Sequence, residues 1–240
     1  MPENAEIECA MQAVADNAFS RELTAAEQVK AVQLLNRYMD AEQMAGQSLG
    51  IFNRPLNPGY ISGLLAVSTL PKEAVGLLEN GKLSLKPARR MAAYDKAFIE
   101  VFVKLFSRIK VSSGKQLDII TSFTEVCKKE QMAPGLFFNE HEFQTLLNLD
   151  TLDLGQKGDQ VRQYLTRRRF PNLEQARQKA RSHLGRLLSN GPFRFNLPEN
   201  FESTVYGVSF DFTSLDDFKT RVRSLSSLAD HPDLKGMLER

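Results

Sequence analysis

Apolar residues recur at helical spacing from the N-terminus to about residue 190, and at alternate positions after it. A period near 3.6 puts such residues on one face of a helix; a period of two puts them on one face of a strand. AEIECAMQAVADNAF (5–19) has near-helical spacing. TAAE (24–27) reads as a capping box, with Glu27 placed to bond back to the Thr24 amide. Val29, Val32, Leu35 and Tyr38/Met39 then carry one apolar face to about residue 39. A shorter helix, DAEQMAGQSL (40–49), starts at Asp40. IFNRPLNPGY (51–60) breaks the period with two prolines and a glycine. Within it Asn57 is placed to cap a helix over about 58–69, with Pro58 at the first position, where its missing N–H costs nothing. The next helix runs from Pro71 to a stop at Asn80-Gly81, and Ser84 caps LKPARRMAAY (85–94).

YDKAFIEVFVKLFSRI (94–109) is apolar enough for a core helix. Ser113 and Gln116 form a second Ser-x-x-Gln box, ahead of a stripe of Leu117, Ile120, Thr124 and Cys127. MAPGLFFN (132–139) reads as a linker between an N-terminal and a C-terminal half. DQVRQYLTRRRF (159–170) and NLEQARQKARSHLGRLL (172–188) form a basic helical pair separated by Pro171. After Gly191-Pro192, Phe193, Phe195 and Leu197 share one face, and so do Tyr206, Val208, Phe210 and Phe212; strict alternation predicts two strands. Leu215, Phe218, Val222 and Leu225 return the pattern to helix.

Composition adds boundaries. The chain has 240 residues, 42% hydrophobic and 25% charged, the range of an ordinary globular protein. No window approaches 18 consecutive apolar residues, so no membrane span is expected. MPENAEIECAMQ has no apolar stretch of the secretory type. Cys9 and Cys127 lack a C-x-x-C spacing and are expected to be reduced residues of a cytoplasmic protein. Net charge is only +2 but is spread unevenly: residues 1–50 carry net −5 and residues 157–186 net +7. A basic block in a near-neutral chain fits a polyanion-facing surface. Arg167, Arg168, Arg169, Arg177, Lys179 and Arg181 are its candidates; the plain alternative is a solvated helix face.

Catalytic constellations are missing. His141, His183 and His231 lie far apart, and Thr145 stands where a zinc-protease motif beginning at His141 needs its second histidine. GQKGDQ (155–160) is no phosphate loop, because Lys157 precedes the second glycine and no Ser or Thr follows it. No enzyme activity, cofactor or metal is expected of this chain.

The helical cluster says more. A helix-turn-helix needs a small residue on its first helix and a second helix whose N-terminal end meets base edges. Met44-Ala45 supply the apolar-small pair, and Ile61, Leu64 and Leu65 the inward face of the second helix. Asn57, Gly59, Tyr60, Ser62 and Gly63 are then exposed, with Asn, Tyr and Ser competent to touch bases or phosphates. From Asp16 to about Tyr94 the chain resembles the ParB family of bacterial partition and plasmid-regulator proteins, KorB-like members included. DNAFSREL-TAAEQ resembles that family's E-N-x-x-R-x-x-L-x-x-x-E segment. YISGLLAVSTLPKEAVGLLENGKLSLKPARRM resembles its recognition helix, the Leu-Pro after it and the G-x-L-S-x-x-H-A-R segment.

The resemblance covers about a third of the chain and implies a recognition helix in the major groove, buttressed by the short helices that follow. On it, Asn57, Tyr60 and Ser62 sit at the groove, Arg54 reaches the DNA backbone, and Lys82, Ser84, Lys86, Arg89 and Arg90 hold phosphates. The chain departs from the family at several points. About six extra residues, assigned to the stretch GIFNRPLN (50–57), lie between Ala45 and Ile61. The segment from Asn57 to Leu70 has no Lys or Arg. Pro87 stands at the family's His, and Ser20 at its Arg. The family's nucleotide-binding, nuclease-like N-terminal domain would lie almost wholly ahead of residue 1, so the chain is expected to be a fragment or a shortened member.

The expected fold is mainly α: a leading segment over 1–23, a helix-turn-helix domain over 24–132, then over 140–240 a helical segment and a small C-terminal α+β element. The expected partners are double-stranded DNA, a second copy of the chain joined through the C-terminal strands, and a partner protein; no membrane is expected. The expected role is partition or transcriptional control of a plasmid or other mobile element in a bacterial cytoplasm. The alternatives are a protein-interaction module whose helix-turn-helix no longer reads bases, and an enzyme whose chemistry lies in a domain upstream.

Overall fold

The computed structural model describes residues 2–188, 193–196 and 205–238. They form a mainly helical protein with one small antiparallel strand pair near the C-terminus. Two compact units divide the chain, Met1–Thr166 and Arg167–Arg240.

In the first unit, α1 (Pro2–Ser20) buries Ala10, Val14 and Ala18, spaced four apart on one face. Thr24 caps α2 (Ala25–Leu35) with the expected box: Glu27 N donates to Thr24 Oγ1 at 3.3 Å and Thr24 N to Glu27 Oε2 at 2.8 Å. Arg21 closes on the same carboxylate through both terminal nitrogens, at 2.8 and 2.5 Å. That hydrogen bond, then those from Thr24, hold the Glu27 carboxyl well below the usual carboxylate range. The helix stops at Leu35, and residues 36–38 form a turn, so Tyr38 and Met39 pack on the core from outside it.

Asp40 starts α3 (Ala41–Gly46) with a second capping box, its Oδ1 accepting from Glu42 N at 3.0 Å and Gln43 N at 2.9 Å. The expected single helix over 40–49 breaks at Gln47, and a separate turn, α4 (Ser48–Phe52), follows. Buried Ser48 donates to Ala45 O at 2.7 Å and accepts from Leu56 N at 3.0 Å, lacing the connection together. Asn53, in the left-handed region at φ 52°, ends α4. Asn57 caps α5 (Pro58–Ser68), and α6 (Lys72–Glu79) ends at Gly81, φ +65°. There Lys82 N and Leu83 N bond Leu77 O at 2.9 and 3.0 Å, a closure that needs the glycine's positive φ.

Ser84 precedes α7 (Leu85–Met91) but its side chain makes no capping bond. Asp95 caps α8 (Lys96–Arg108), which buries Val101, Phe102, Leu105 and Phe106. The expected Ser113/Gln116 box is not formed: Ser113 is already the first residue of α9 (Ser113–Lys129). Gln116 is buried instead, and its amide bonds Ser84 N (3.0 Å), Lys82 O (2.9 Å) and Val111 O (3.0 Å). It satisfies backbone groups that the Ser84 hydroxyl leaves alone. Of the predicted α9 stripe, Ile120, Thr124 and Cys127 are buried and Leu117 is half-buried.

The segment 132–139 is not a linker. It holds α10 (Pro134–Phe138), whose Phe137 and Phe138 are buried in the same core as α8 and α9. Phe137 sits 4.8 Å from Phe123 and 5.6 Å from Phe143, centroid to centroid, and Phe143 5.5 Å from Tyr164. These rings carry the core on through α11 (His141–Leu147) into α12 (Leu154–Arg169). Each fully buried ring contributes on the order of 2 kcal/mol or more, so a boundary here would cut the best-packed part of the unit. The division falls at residue 166.

The second unit holds α13 (Pro171–Leu188), β1 (Arg194–Asn196), β2 (Gly207–Ser209), α14 (Leu215–Ala229) and α15 (Pro232–Leu238). The strands pair antiparallel, Phe195 opposite Val208. Ala180, Leu187, Phe193 and Leu228 form its small core, with Tyr206, Phe210 and Leu225 packed on it. The ladder is shorter than the alternation predicted: Val208 and Phe212 are exposed, and Leu197 lies outside the described residues. α15 was not expected from the pattern; Asp233 on it accepts from Arg186 Nε at 2.7 Å and meets His183 Nδ1 at 2.8 Å on α13.

Candidate functional site

The site centres on the N-terminal half of α5 and its neighbours. Ile61, Leu64 and Val67 of α5 have no exposed surface and pack with α2 and α3; Met44 of α3 is equally buried, and Ala45 and Leu65 pack partly against the same core. The opposite face of α5 exposes Gly59, Ser62, Ala66 and the capping Thr69. Asn57 is exposed, but its Oδ1 is occupied by the Tyr60 amide at 2.8 Å. Ser62 is exposed and makes no side-chain bond among the described residues.

Tyr60 and Arg54, expected at the DNA, are turned into an internal network. Gln28 of α2 is 6% exposed. Its Oε1 accepts from Arg54 Nη2 at 2.6 Å and from Tyr60 Oη at 2.8 Å, while its Nε2 donates to Leu23 O at 2.8 Å. Arg54 Nη2 also lies 3.3 Å from Tyr60 Oη, and its Nη1 3.7 Å from Glu22. The Arg54 and Arg89 guanidiniums stand 5.6 and 5.9 Å from the Tyr60 ring centroid, within cation–π reach.

Arg89 joins α7 to α5. Its Nη2 lies 3.4 Å from Gly59 O, and a Cβ built on Gly63 would come within 2.1 Å of its Nε. Only a glycine at 63 lets the guanidinium lie there. Lys86 and Arg90 share the exposed side of α7 with Arg89 at three- and four-residue spacing, and none of the three forms an ion pair among the described residues. Arg90 stands 5.6 Å from the Tyr94 ring. Lys82 and Ser84 are half-buried and do structural work: Lys82 Nζ donates to Ser107 O at 2.8 Å, and Ser84 N to Gln116.

The structure therefore brings Asn57, Tyr60, Ser62 and Arg89 together around α5, with Lys86 and Arg90 beside them, and gives Arg54, Lys82 and Ser84 internal partners. Gln28 was not singled out from the sequence. Its signal was there: it lies four residues before Val32 and seven before Leu35, a polar residue on an apolar stripe.

The basic block belongs to two units. In the first, Arg162 is answered by Asp118 at 3.2 Å and Asp159 at 3.7 Å. In the second, Arg167, Lys179 and Arg181 are exposed, Arg168 and Arg169 half-buried, and Arg169 lies 4.7 Å over the Phe170 ring. The Arg177 side chain lies outside the described residues. Among the described residues no three His, Cys, Asp or Glu side chains are grouped to hold a metal ion. No single helix there is long and apolar enough to cross a membrane; the bent pair α5–α6 is apolar, but Ile61, Leu64, Val67, Ala74, Leu77 and Leu78 are spent on the core.

Comparison with protein-family models, with curated proteins and with solved structures found no match to this chain.

Proposed function

We propose that this chain is a double-stranded-DNA-binding protein of the ParB-like type, with α3 and α5 as its helix-turn-helix and the exposed face of α5 as its groove-facing surface. The role that goes with it is partition or transcriptional control of a plasmid or other mobile element in the bacterial cytoplasm. The observation that carries this reading is the cation edge of α7: Lys86, Arg89 and Arg90 form no ion pair among the described residues, with Arg89 laid against an α5 that has no cation of its own. Phosphate contacts supply most of the affinity of such a surface and make it salt-dependent. The longer connection between the two helices, α4 and the Asn53 turn, is packed and hydrogen-bonded, which favours an insertion built into the motif over a broken one.

A homodimer belongs to the proposal, because one such helix reads a short half-site and two-fold pairing doubles the contacts. The second unit offers the surface: Val205, Val208, Phe212, Leu215 and Val222 are all exposed.

The test is binding of the purified chain to random-sequence duplex DNA at two salt concentrations, followed by selection of bound sequences. A steep salt dependence with an enriched two-fold motif is expected. Binding without enrichment would move the activity to a sequence-independent basic surface, and no binding at low salt would overturn the reading. A second reading, a protein-interaction module, is favoured by one observation: Arg54 and Tyr60 spend their polar groups internally.

A further inference from the structure

Tyr60 has the position of a base-reading residue and the hydrogen bonding of a buried one. The Gln28 amide is fixed, because its Nε2 is committed to Leu23 O at 2.8 Å and the side chain is buried. Its carbonyl oxygen then has one direction to face, and the Tyr60 hydroxyl and the Arg54 guanidinium both donate to it, at 2.8 and 2.6 Å. An amide oxygen has two lone pairs, so both are used. Tyr60 is thereby held at two ends, by its backbone N–H on the Asn57 cap and by its hydroxyl on Gln28. Its ring cannot swing, and the Arg89 guanidinium lies 5.9 Å from the ring centroid, 3.4 Å from Gly59 O and in the space a Cβ at Gly63 would fill.

We propose that Gln28 and Tyr60 are positioning residues for Arg89: Gln28 anchors the Tyr60 hydroxyl, and the fixed ring holds the Arg89 guanidinium on the exposed face of α5. The consequence for DNA rests on the DNA-binding reading above; the placement of Arg89 does not. An arginine on open surface loses much rotamer freedom when it binds, and one already held beside a fixed ring loses less. The recognition helix, which carries no cation, thus receives one from α7 in a set place. Tyr60 acts through Arg89 and reads no base itself.

The test uses Tyr60→Phe, Gln28→Ala, Arg89→Ala and the two double variants, each checked for thermal unfolding. On duplex DNA, Tyr60→Phe and Gln28→Ala should each weaken binding roughly two- to tenfold, the size expected when one arginine must be ordered on binding. In the Arg89→Ala background neither should weaken it further, whereas a merely structural role would persist there. The salt dependence should fall by about one counterion in Arg89→Ala, and by nothing more in the double variants. Without DNA, the Arg89 Nε–H resonance should move toward the value of a free arginine in Tyr60→Phe. Additive losses, or an Arg89 resonance that stays in place, would overturn the proposal. If the wild-type chain binds no DNA, the parent reading falls and the resonance alone decides the positioning of Arg89. Tyr60→Phe keeps the ring and its packing, so the test survives if Gln28→Ala fails to fold.

Discussion

Two carboxylates tie elements together, and both do so as charged groups. Glu27 closes the α2 capping box while gripping Arg21 at the end of α1, so one side chain joins two helices. Thr24→Ala removes the other half of the box and should lower stability by about 1 kcal/mol in chemical denaturation. Asp233 plays the same part between α13 and α15. The Arg186 hydrogen bond first, then that of His183, pull its carboxyl down to about 2. Because the folded form holds this proton more weakly than the unfolded chain, the pair's contribution is complete above the unfolded value near 4 and is lost as the pH falls toward 2. Urea unfolding of the second unit should therefore weaken across that window, and Asp233→Asn should flatten the dependence there. The Thr24 box was legible in the sequence because it closes within four residues. The partners of Gln28, Gln116 and Asp233 were not, because they lie up to 32, 34 and 50 positions away.

Helix starts, similarly, were readable where one side chain makes the cap, though not at Ser84 or Ser113, whose expected caps are not made. Asp40 and Asn57 each begin a helix with a side-chain cap, a signal carried by one residue. The break at Gln47 directly follows Gly46, and Ser48 holds it by bonding Ala45 and Leu56 across the turn. In 132–139 the local punctuation, Pro134, Gly135 and Asn139, argued for a linker, and the aromatic pair Phe137-Phe138 outweighed it by packing. Two glycines test how α5 and α6 are placed. At Gly81, φ +65° makes any side chain strained, and Gly81→Ala should destabilise by about 1 kcal/mol. At Gly63 the obstacle to a Cβ is the Arg89 side chain, not backbone. Alanine also favours the helix by about 1 kcal/mol over glycine, so Gly63→Ala should leave the melting temperature unchanged or raised. DNA affinity should fall in the same variant, because the guanidinium is pushed off α5. A variant that melts no earlier and binds DNA as well as wild type would show that Arg89's place on α5 is irrelevant to binding.

At the scale of the whole chain, the two units differ in how well they cover themselves. The first has a continuous aromatic and aliphatic core from α1 to α12. Among its described residues the second has four buried apolar side chains and a ladder of two three-residue strands. Two such strands are marginal in water unless more chain or another surface packs on them. The apolar alternation in 193–212 was legible as strands, and their shortness was not, because alternation records which side chains could share a face and not how many residues pair. What it left over is the exposed set Val205, Val208, Phe212 and Leu215, with Phe218 edge to face against Phe212, 4.9 Å between centroids. On the homodimer proposed above, a second copy offers the same apolar set, and a two-fold contact would cover both at once. Phe212→Glu with Leu215→Glu puts four like charges into that contact. On that proposal the wild type should sediment as a dimer and the double variant, at the same concentrations, as a monomer, with its first unit unchanged in thermal unfolding. Its affinity for a two-fold DNA site should fall to that for a half-site, while half-site binding stays as it was. A double variant that still sediments as a dimer would place the pairing surface elsewhere in the chain.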